Sequence, residues 1–337
     1  MFCRTGDRAM GTFDLIDLPE VTSATAGWRR RDVTQEDVLV SLDAAGIAEL
    51  RELVAHLRRH PLPVPLIVAQ DYSLESVRRV VSEIRWRLRD GLGFCILDRL
   101  PLDGIDREEA KALYWVIASL VARPVAQKLD GTMIYDVHDT GAAAAPGSGI
   151  RPDKTNIDLT FHNDNAYNQT MPEIVALLCL ASARAGGHSR VISFQTAYEE
   201  LSRRAPEVLP RLFEPFWFDR QREVSPGEPE TFSAPIFTQA EGRIQARLGL
   251  HQVFNAAEMR GEPLDAEAAQ AVGALREIFN DPELFFEFDL EPGQIQFADN
   301  LGLGHSRTAF VDHPEPERRR HLVRLWLRDA GDRSYVG

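Results

Sequence analysis

The stretch that most narrows what this chain can fold into is Leu159-Thr-Phe-His162-Asn-Asp164-Asn-Ala-Tyr167. It reads as a strand, and side chains two apart on a strand project from the same face. His162 and Asp164 therefore point together, an imidazole beside a carboxylate, and Asn156, Asp158 and Thr160 are expected on that face too. Two ligands leave a metal ion under-coordinated, so a third has to come from elsewhere in the chain. His305, in Asp299-Asn-Leu-Gly-Leu-Gly-His305-Ser-Arg, is the best candidate. Two imidazoles and one carboxylate on one face of an octahedron leave three positions open, the arrangement of non-haem Fe(II) centres.

Around that stretch the periodicity changes along the chain. Thr34-Gln-Glu-Asp37 looks like a helix start, and Ile47, Leu50, Leu53, Val54 and Leu57 recur at helical spacing until Pro61, Pro63 and Pro65. A second helix is predicted from Ser73 to Gly91 and a third over 107–122, with a buried strand at 93–98 between them. Strand-like pieces follow at 133–137, 157–164, 174–181 and 190–194, and a short helix over 196–204. The segment 206–280 is less regular, with strands expected at 216–218, 234–237 and 243–248 and a helix over 265–280. Strands return at 284–290, 294–298, 308–311 and 321–328. Many short strands with one long insertion suit a jelly-roll barrel, and helices pack outside one of its sheets. The expected class is mixed α/β with a mainly β core, in a single domain spanning 1–337. Residues 1–125 form a helical scaffold with the first strand, and 205–290 an insertion that is a candidate lid. The small-residue loop Gly141–Gly149 precedes the ligand strand and reads equally as a flap over the site or as a passive surface loop.

Composition limits the partners. A net charge of -13 argues against a nucleic-acid groove, which needs clustered Lys and Arg. No apolar run is long enough to span a bilayer, and Arg4, Asp7 and Arg8 leave no room for a signal peptide, so a cytoplasmic location is expected. Cys3, Cys95 and Cys179 are too few and too scattered for a disulfide scaffold. The expected partner is a small molecule, with assembly into a homo-oligomer left open.

Three further positions carry chemistry. Gly186-Gly187-His188-Ser189 makes a tight turn that delivers a hydroxyl, and Arg320 and Arg324 share a strand face with Leu322 between them. Two cations aimed into a barrel are costly unless they meet anions, and a dicarboxylate held by an Arg clamp would supply them. Read from the residues alone, the Arg-rich run is equally a solvated edge.

Taken as a set, His162-x-Asp164, Gly-Gly-x-Ser189, Asn300…His305-x-Arg and Arg320-His-Leu-x-Arg324 resemble the taurine dioxygenase-type (TauD/TfdA-like) Fe(II)/2-oxoglutarate oxygenases over roughly residues 90–330. Gly91-Leu-Gly-Phe and Pro124-Val-Ala-Gln fit the same pattern, whereas 205–290 matches weakly. The resemblance implies a double-stranded β-helix in which His162, Asp164 and His305 hold Fe(II). It puts Ser189 and Arg320 on the far carboxylate of 2-oxoglutarate, Arg324 near that co-substrate, and Asp158 at a substrate-binding position. Ser189 and Asn163 replace commoner Thr residues without removing a ligand. The implied reaction consumes 2-oxoglutarate and O2, releases succinate and CO2, and hydroxylates a C–H bond of a small polar substrate, an amino acid or amine being the leading class. Asp158 is expected to receive its cation, with Asn165 and Tyr135 as weaker substrate-side candidates, His251 as structural or substrate-side, and Asn300 tying down the loop that carries His305. The alternatives are desaturation, epoxidation or cleavage at the same centre, a non-catalytic jelly-roll binding protein, and a zinc hydrolase.

Overall fold

The computed structural model describes residues 27–141 and 152–337. Cys3, the remainder of the N-terminal segment and most of the Gly141–Gly149 loop lie outside the described residues.

Thr34 caps a single helical turn, α1 (Gln35–Val38), through a reciprocal box with Asp37. The continuous helix expected from there to Leu57 is instead interrupted. Leu39–Ser41 leaves as strand β1, and Asp43 caps a new helix, α2 (Ala44–Arg59). Pairing explains the break: Leu39, Val40 and Ser41 run parallel to Ile96, Leu97 and Asp98 of β2 (Phe94–Asp98). The next helix, α3 (Glu75–Arg89), begins at Glu75 rather than at Ser73 and has no side-chain cap of its own. Glu49 on α2 serves instead, accepting hydrogen bonds from the backbone N–H of Ser76 (2.9 Å) and Val77 (3.0 Å). A carboxylate there also meets the positive end of the helix dipole. Helix α4 (Arg107–Val121) is capped by Asp106 and is buried on most sides.

The β part then builds two facing sheets. Its strands are β3 (Pro124–Val125), β4 (Tyr135–Val137), β5 (Leu159–His162), β6 (Ile174–Ala181), β7 (Ala185–Gly186) and β8 (Ser189–Ser193). Between these and the closing strands come α5 (Phe194–Arg204), α6 (Leu209–Leu212), the hairpins β9 (Pro215–Asp219) with β10 (Thr231–Pro235) and β11 (Phe237–Ala240) with β12 (Arg243–Ala246), then α7 (Leu250–Arg260) and α8 (Ala266–Phe279). The chain closes with β13 (Phe285–Phe288), β14 (Ile295–Asp299), β15 (Leu303–Arg307), β16 (Phe310–Val311) and β17 (His321–Leu327). One sheet runs β1-β2-β14-β6-β17-β3 with β4 also on β17, and the other β13-β8-β15-β5.

Alternation sorts the side chains of the larger sheet. On β17, Val323, Leu325 and Leu327 join the core under α2, α3 and α4, while Leu322 faces the smaller sheet. Phe94, Ile96 and Cys179 from the larger sheet meet Val191, Phe286 and Leu303 from the smaller one in the layer between them. This is the double-stranded β-helix expected. Segment 205–290 builds a separate apolar core with Phe161, Ile192 and Phe194, so it is anchored to the outer face of the smaller sheet. Among the described residues no helix is long and apolar enough to cross a membrane.

The cap that α2 lends to α3 is testable. Glu49→Ala leaves two N–H groups without their acceptor and is expected to cost about 1 kcal/mol. A thermal melt should fall by roughly 2 °C; an unchanged melting temperature would show that water replaces the carboxylate without loss.

Candidate metal centre

The smaller sheet brings the two histidines together. His305 on β15 is the direct cross-strand partner of His162 at the end of β5, and their ring centroids are 4.3 Å apart. Asp164 lies just beyond β5, where its Oδ1 is 3.8 Å from Nε2 of both His162 and His305. Ligand atoms of all three lie within 4.8 Å of one another, and they form the metal-competent cluster found among the described residues.

Each ligand is held by a second contact. His162 Nδ1 donates to the Thr160 carbonyl at 2.9 Å, which leaves Nε2 free of a proton and facing Asp164. Asp164 Oδ2 accepts from Trp326 Nε1 at 2.7 Å and lies 3.2 Å from Arg324 Nη1. The main chain is pinned as well. Asn300 Oδ1 accepts from the Asp164 N–H (2.8 Å) and its Nδ2 donates to the Asp164 carbonyl (2.9 Å). Asn163 donates to the carbonyls of Ala246 and Asn300 and accepts from the Leu248 N–H. Burial lowers the pKa of both imidazoles, to about 3 for His305, so they are neutral and ready to ligate. Burial raises the Asp164 pKa, but Arg324, the histidines and the Trp326 N–H outweigh it and bring the carboxyl to about 2. Two neutral imidazoles and an ionised carboxylate on one side of an open cleft are a donor set that suits Fe(II).

That cleft, with its open mouth included, spans about 550 Å³ between the sheets and is lined by Leu159, Ser189, Arg307, Arg320, Leu322 and Arg324 in addition to the triad. Gly186 and Gly187 have φ of +72° and +78°, and a Cβ on Gly187 would come within 3.2 Å of Arg320 Nε. The Gly-Gly turn therefore lets Ser189 and Arg320 share the cleft. Arg320 Nη1 and Arg307 Nε are buried donors with no partner. Burial, with Arg307 nearby, lowers the Arg320 pKa to about 10. Unpartnered buried guanidinium donors beside a serine hydroxyl fit the far carboxylate of a 2-oxo dicarboxylate.

The other predicted positions fall differently. Arg324 directs Nη1 to Asp164 and Asp153 and Nε to Gln127 Oε1 at 2.8 Å, so its contacts run to the metal-side carboxylate. Asn165 lines a second cavity beside the triad. Tyr135 is buried against Lys154 and Arg324, 4.2 and 4.9 Å from its ring centre, and lines neither cavity. Asp158, with Asn156 and Thr160, is exposed rather than aimed at the triad. The reason is a bulge. His305 and Arg307 pair with His162 and Leu159, so β5 spends three residues where β15 spends two. Upstream of the bulge the parity is inverted, and Leu159 takes the face predicted for Asp158. Sequence reasoning missed Asp153 and Trp326 and gave Gln127, in the Pro124-Val-Ala-Gln match, no role. Trp326 was findable, since it sits two residues after Arg324 on the same strand face; Asp153, next to the undescribed loop, offers no periodic signal.

Comparison with known proteins gives the family. The family model described as "Taurine catabolism dioxygenase TauD, TfdA family" matches residues 42–326. The chain is 29% identical over 298 residues to FR-33289 synthase of Streptomyces rubellomurinus, covering 87% of this chain and 86% of that protein. It is 27% identical over 158 residues to L-asparagine oxygenase of Streptomyces coelicolor, covering 45% of this chain and 43% of that protein. Among solved structures, asparagine oxygenase in complex with Fe(II), 2S,3S-3-hydroxyasparagine and succinate superposes with a TM-score of 0.64 at 22% identity, over 86% of this chain and 93% of that one. The non-haem iron oxygenase OrfP with Fe and α-ketoglutaric acid gives 0.63 at 17% identity, over 87% and 94%.

The buried imidazoles set a pH response. His305 is neutral in the fold down to about 3, whereas the unfolded chain protonates it near 6.5. The unfolded state thus binds more protons between those values, and stability falls as pH drops below 6.5. The melting temperature of metal-free protein should decline from pH 7 to pH 5, and His305→Asn should decline less; equal slopes would contradict the assignment.

Proposed function

The chain belongs to the TauD/TfdA family of dioxygenases, and from that premise we propose that His162, Asp164 and His305 hold the iron, that Ser189 and Arg320 receive the far carboxylate of 2-oxoglutarate, and that the C–H bond hydroxylated belongs to an amino acid or another small polar amine. The protein is a non-haem iron, 2-oxoglutarate-dependent oxygenase. The observation that carries the site assignment is the meeting of two neutral Nε2 atoms on one carboxylate oxygen, 3.8 Å from each. The substrate class draws support from the names of similar proteins: one is an L-asparagine oxygenase, and OrfP has been crystallised with (3S)-hydroxy-L-Arg.

Bound iron with 2-oxoglutarate and O2 supplies the oxidising chemistry: one oxygen atom enters the C–H bond, the other enters succinate, and CO2 leaves. The chain's own residues do the rest. Trp326 and Arg324 fix the Asp164 carboxylate from the opposite sheet, so it turns one oxygen to the histidines. Arg324 is a positioning residue in this reading, acting on the centre through Asp164. Arg320 and Ser189 set the distance of the co-substrate from the triad by anchoring its far end. Val137, Leu159, Leu177 and Leu322 line the cleft with apolar surface that excludes water from the centre. Segment 205–290 contributes Gln221, His251 and Gln252 to the second cavity, which favours the lid role expected for it.

The test is succinate formation from 2-oxoglutarate with Fe(II), O2 and an amino-acid and amine panel, with the product weighed. Hydroxylation adds one oxygen; loss of two hydrogens would show desaturation. Asp164→Ala is expected to abolish iron binding in protein purified without oxygen. Arg320→Gln should keep iron but raise KM for 2-oxoglutarate by roughly 30-fold or more, about 2 kcal/mol for a charged hydrogen bond. Trp326→Phe removes one donor to Asp164 and should weaken metal affinity by about tenfold. Full metal affinity in Asp164→Ala would refute the triad.

A further inference from the structure

On the side of the triad that faces the insertion lies a second cavity of about 380 Å³, lined by Asp153, Asn165, Gln221, His251 and Gln252 beside His162 and Asp164. The co-substrate cleft leaves guanidinium donors unmatched at Arg307 and Arg320, together with the Ser306 hydroxyl and the Gln296 Oε1 acceptor, and it shares Asp153 with this cavity. Here the buried atoms without a partner are Asp153 Oδ1, Asn165 Oδ1 and Gln252 Oε1, all acceptors. None of the cavity's lining residues contributes a buried donor left over to meet them.

Two of these acceptors are fixed in place. Asp153 spends Oδ2 on Arg324 Nη1 at 3.3 Å and keeps Oδ1 unpaired. Asn165 cannot rotate its amide to offer the nitrogen, because Nδ2 already donates to the Thr170 carbonyl at 3.2 Å. Its backbone is held in the left-handed region at φ 61°, which aims the side chain from a turn directly after Asp164. Buried acceptors without donors are costly, and a carboxylate oxygen among them calls for positive charge. A group with several N–H donors, no acceptor and a unit of charge satisfies both demands, and a protonated primary amine is such a group.

We propose that this cavity receives the ammonium group of the substrate, with Asp153 Oδ1 and Asn165 Oδ1 as its acceptors and Gln252 Oε1 as the third wall. The inference rests on reading the triad as a metal centre and deepens it by assigning the head group and the residues that select it. It also moves substrate recognition from Asp158, which the β5 bulge turns outward, to Asp153. With the amine fixed there, the carbon chain beside it lies against His162 and Asp164, where a bound metal would face it.

The test uses Mn(II) in place of Fe(II), with 2-oxoglutarate present, and two probes of equal shape: isopropylammonium and isopropanol. Mn(II) broadens the proton signals of any molecule held close to it. Saturable broadening is expected for the ammonium, with binding at least about tenfold weaker for the alcohol. Asp153→Asn keeps the side-chain shape and removes the charge, and Asn165→Gly keeps the left-handed backbone and removes the acceptor. Each should weaken the ammonium by about tenfold while Mn(II) affinity, read by electron paramagnetic resonance, is retained. Equal broadening by both probes, no broadening of either with Mn(II) bound, or full affinity in both variants would overturn the assignment. The comparison of probes on the unaltered protein decides the matter even if a variant fails to fold. Failure to bind Mn(II) at all would instead remove the metal centre, and this inference with it.

Discussion

Asp164 is a buried carboxylate held from across the barrel. It lies just beyond β5 of the smaller sheet, while Trp326 and Arg324, which bind it, belong to β17 of the larger one. A charge so deep would be expelled without such partners. The contact therefore does two things at once: it ties the sheets together at the level of the histidines, and it keeps an ionised oxygen turned toward them. Gln127 extends the tie. It accepts from Arg324 Nε and donates to the Arg324 and Met133 carbonyls, so the guanidinium has little freedom to turn away.

From that junction the interior opens on two sides. The side of Ser189 and Arg320 holds the unpaired guanidinium donors of Arg307 and Arg320 beside Ser306 and Gln296, whereas the side of Asn165 and Gln252 holds unpaired acceptors. Asp153 and Arg324 line both cavities, each with the other as a partner. Only the cleft side offers unpaired guanidinium donors, so an anionic molecule finds its partners on that side of the triad and not on the other. The insertion matters for the same reason. Its α7 begins at Leu250 and carries His251 and Gln252 over the acceptor side, with Gly249 just before it giving room for the Gln252 amide.

Much of this was legible in the chain. The helical stripes of α2, α3 and α4 announced the side chains that pack on the outer face of the larger sheet, and strand parity put Arg320, Leu322 and Arg324 on one face, where they do share the cleft. The failures have physical causes. Leu39 to Ser41 reads as the middle of a helix because local spacing cannot see that β2 will pair with it. Asp158 was placed by a period of two that one extra residue in β5 inverts. Helix α7 was not anticipated, since its apolar pattern is weak and its burial comes from the insertion's own core.

What the chain determined by itself is the set of reacting groups and the order in which they occur: His162-x-Asp164, Ser189, His305, Arg320 and Arg324, each carried on a run whose period says strand or turn. Local spacing suffices for that, because neighbours on one element are related by fixed geometry. What only the tertiary structure decided is which groups finish with a partner and which do not. Arg324 finds Asp164 and Asp153, while Arg320 and Asp153 each keep one polar atom unmatched. Partners in a buried site come from segments distant in the chain, and their pairing depends on the meeting of two sheets and on a bulge, which no local period encodes.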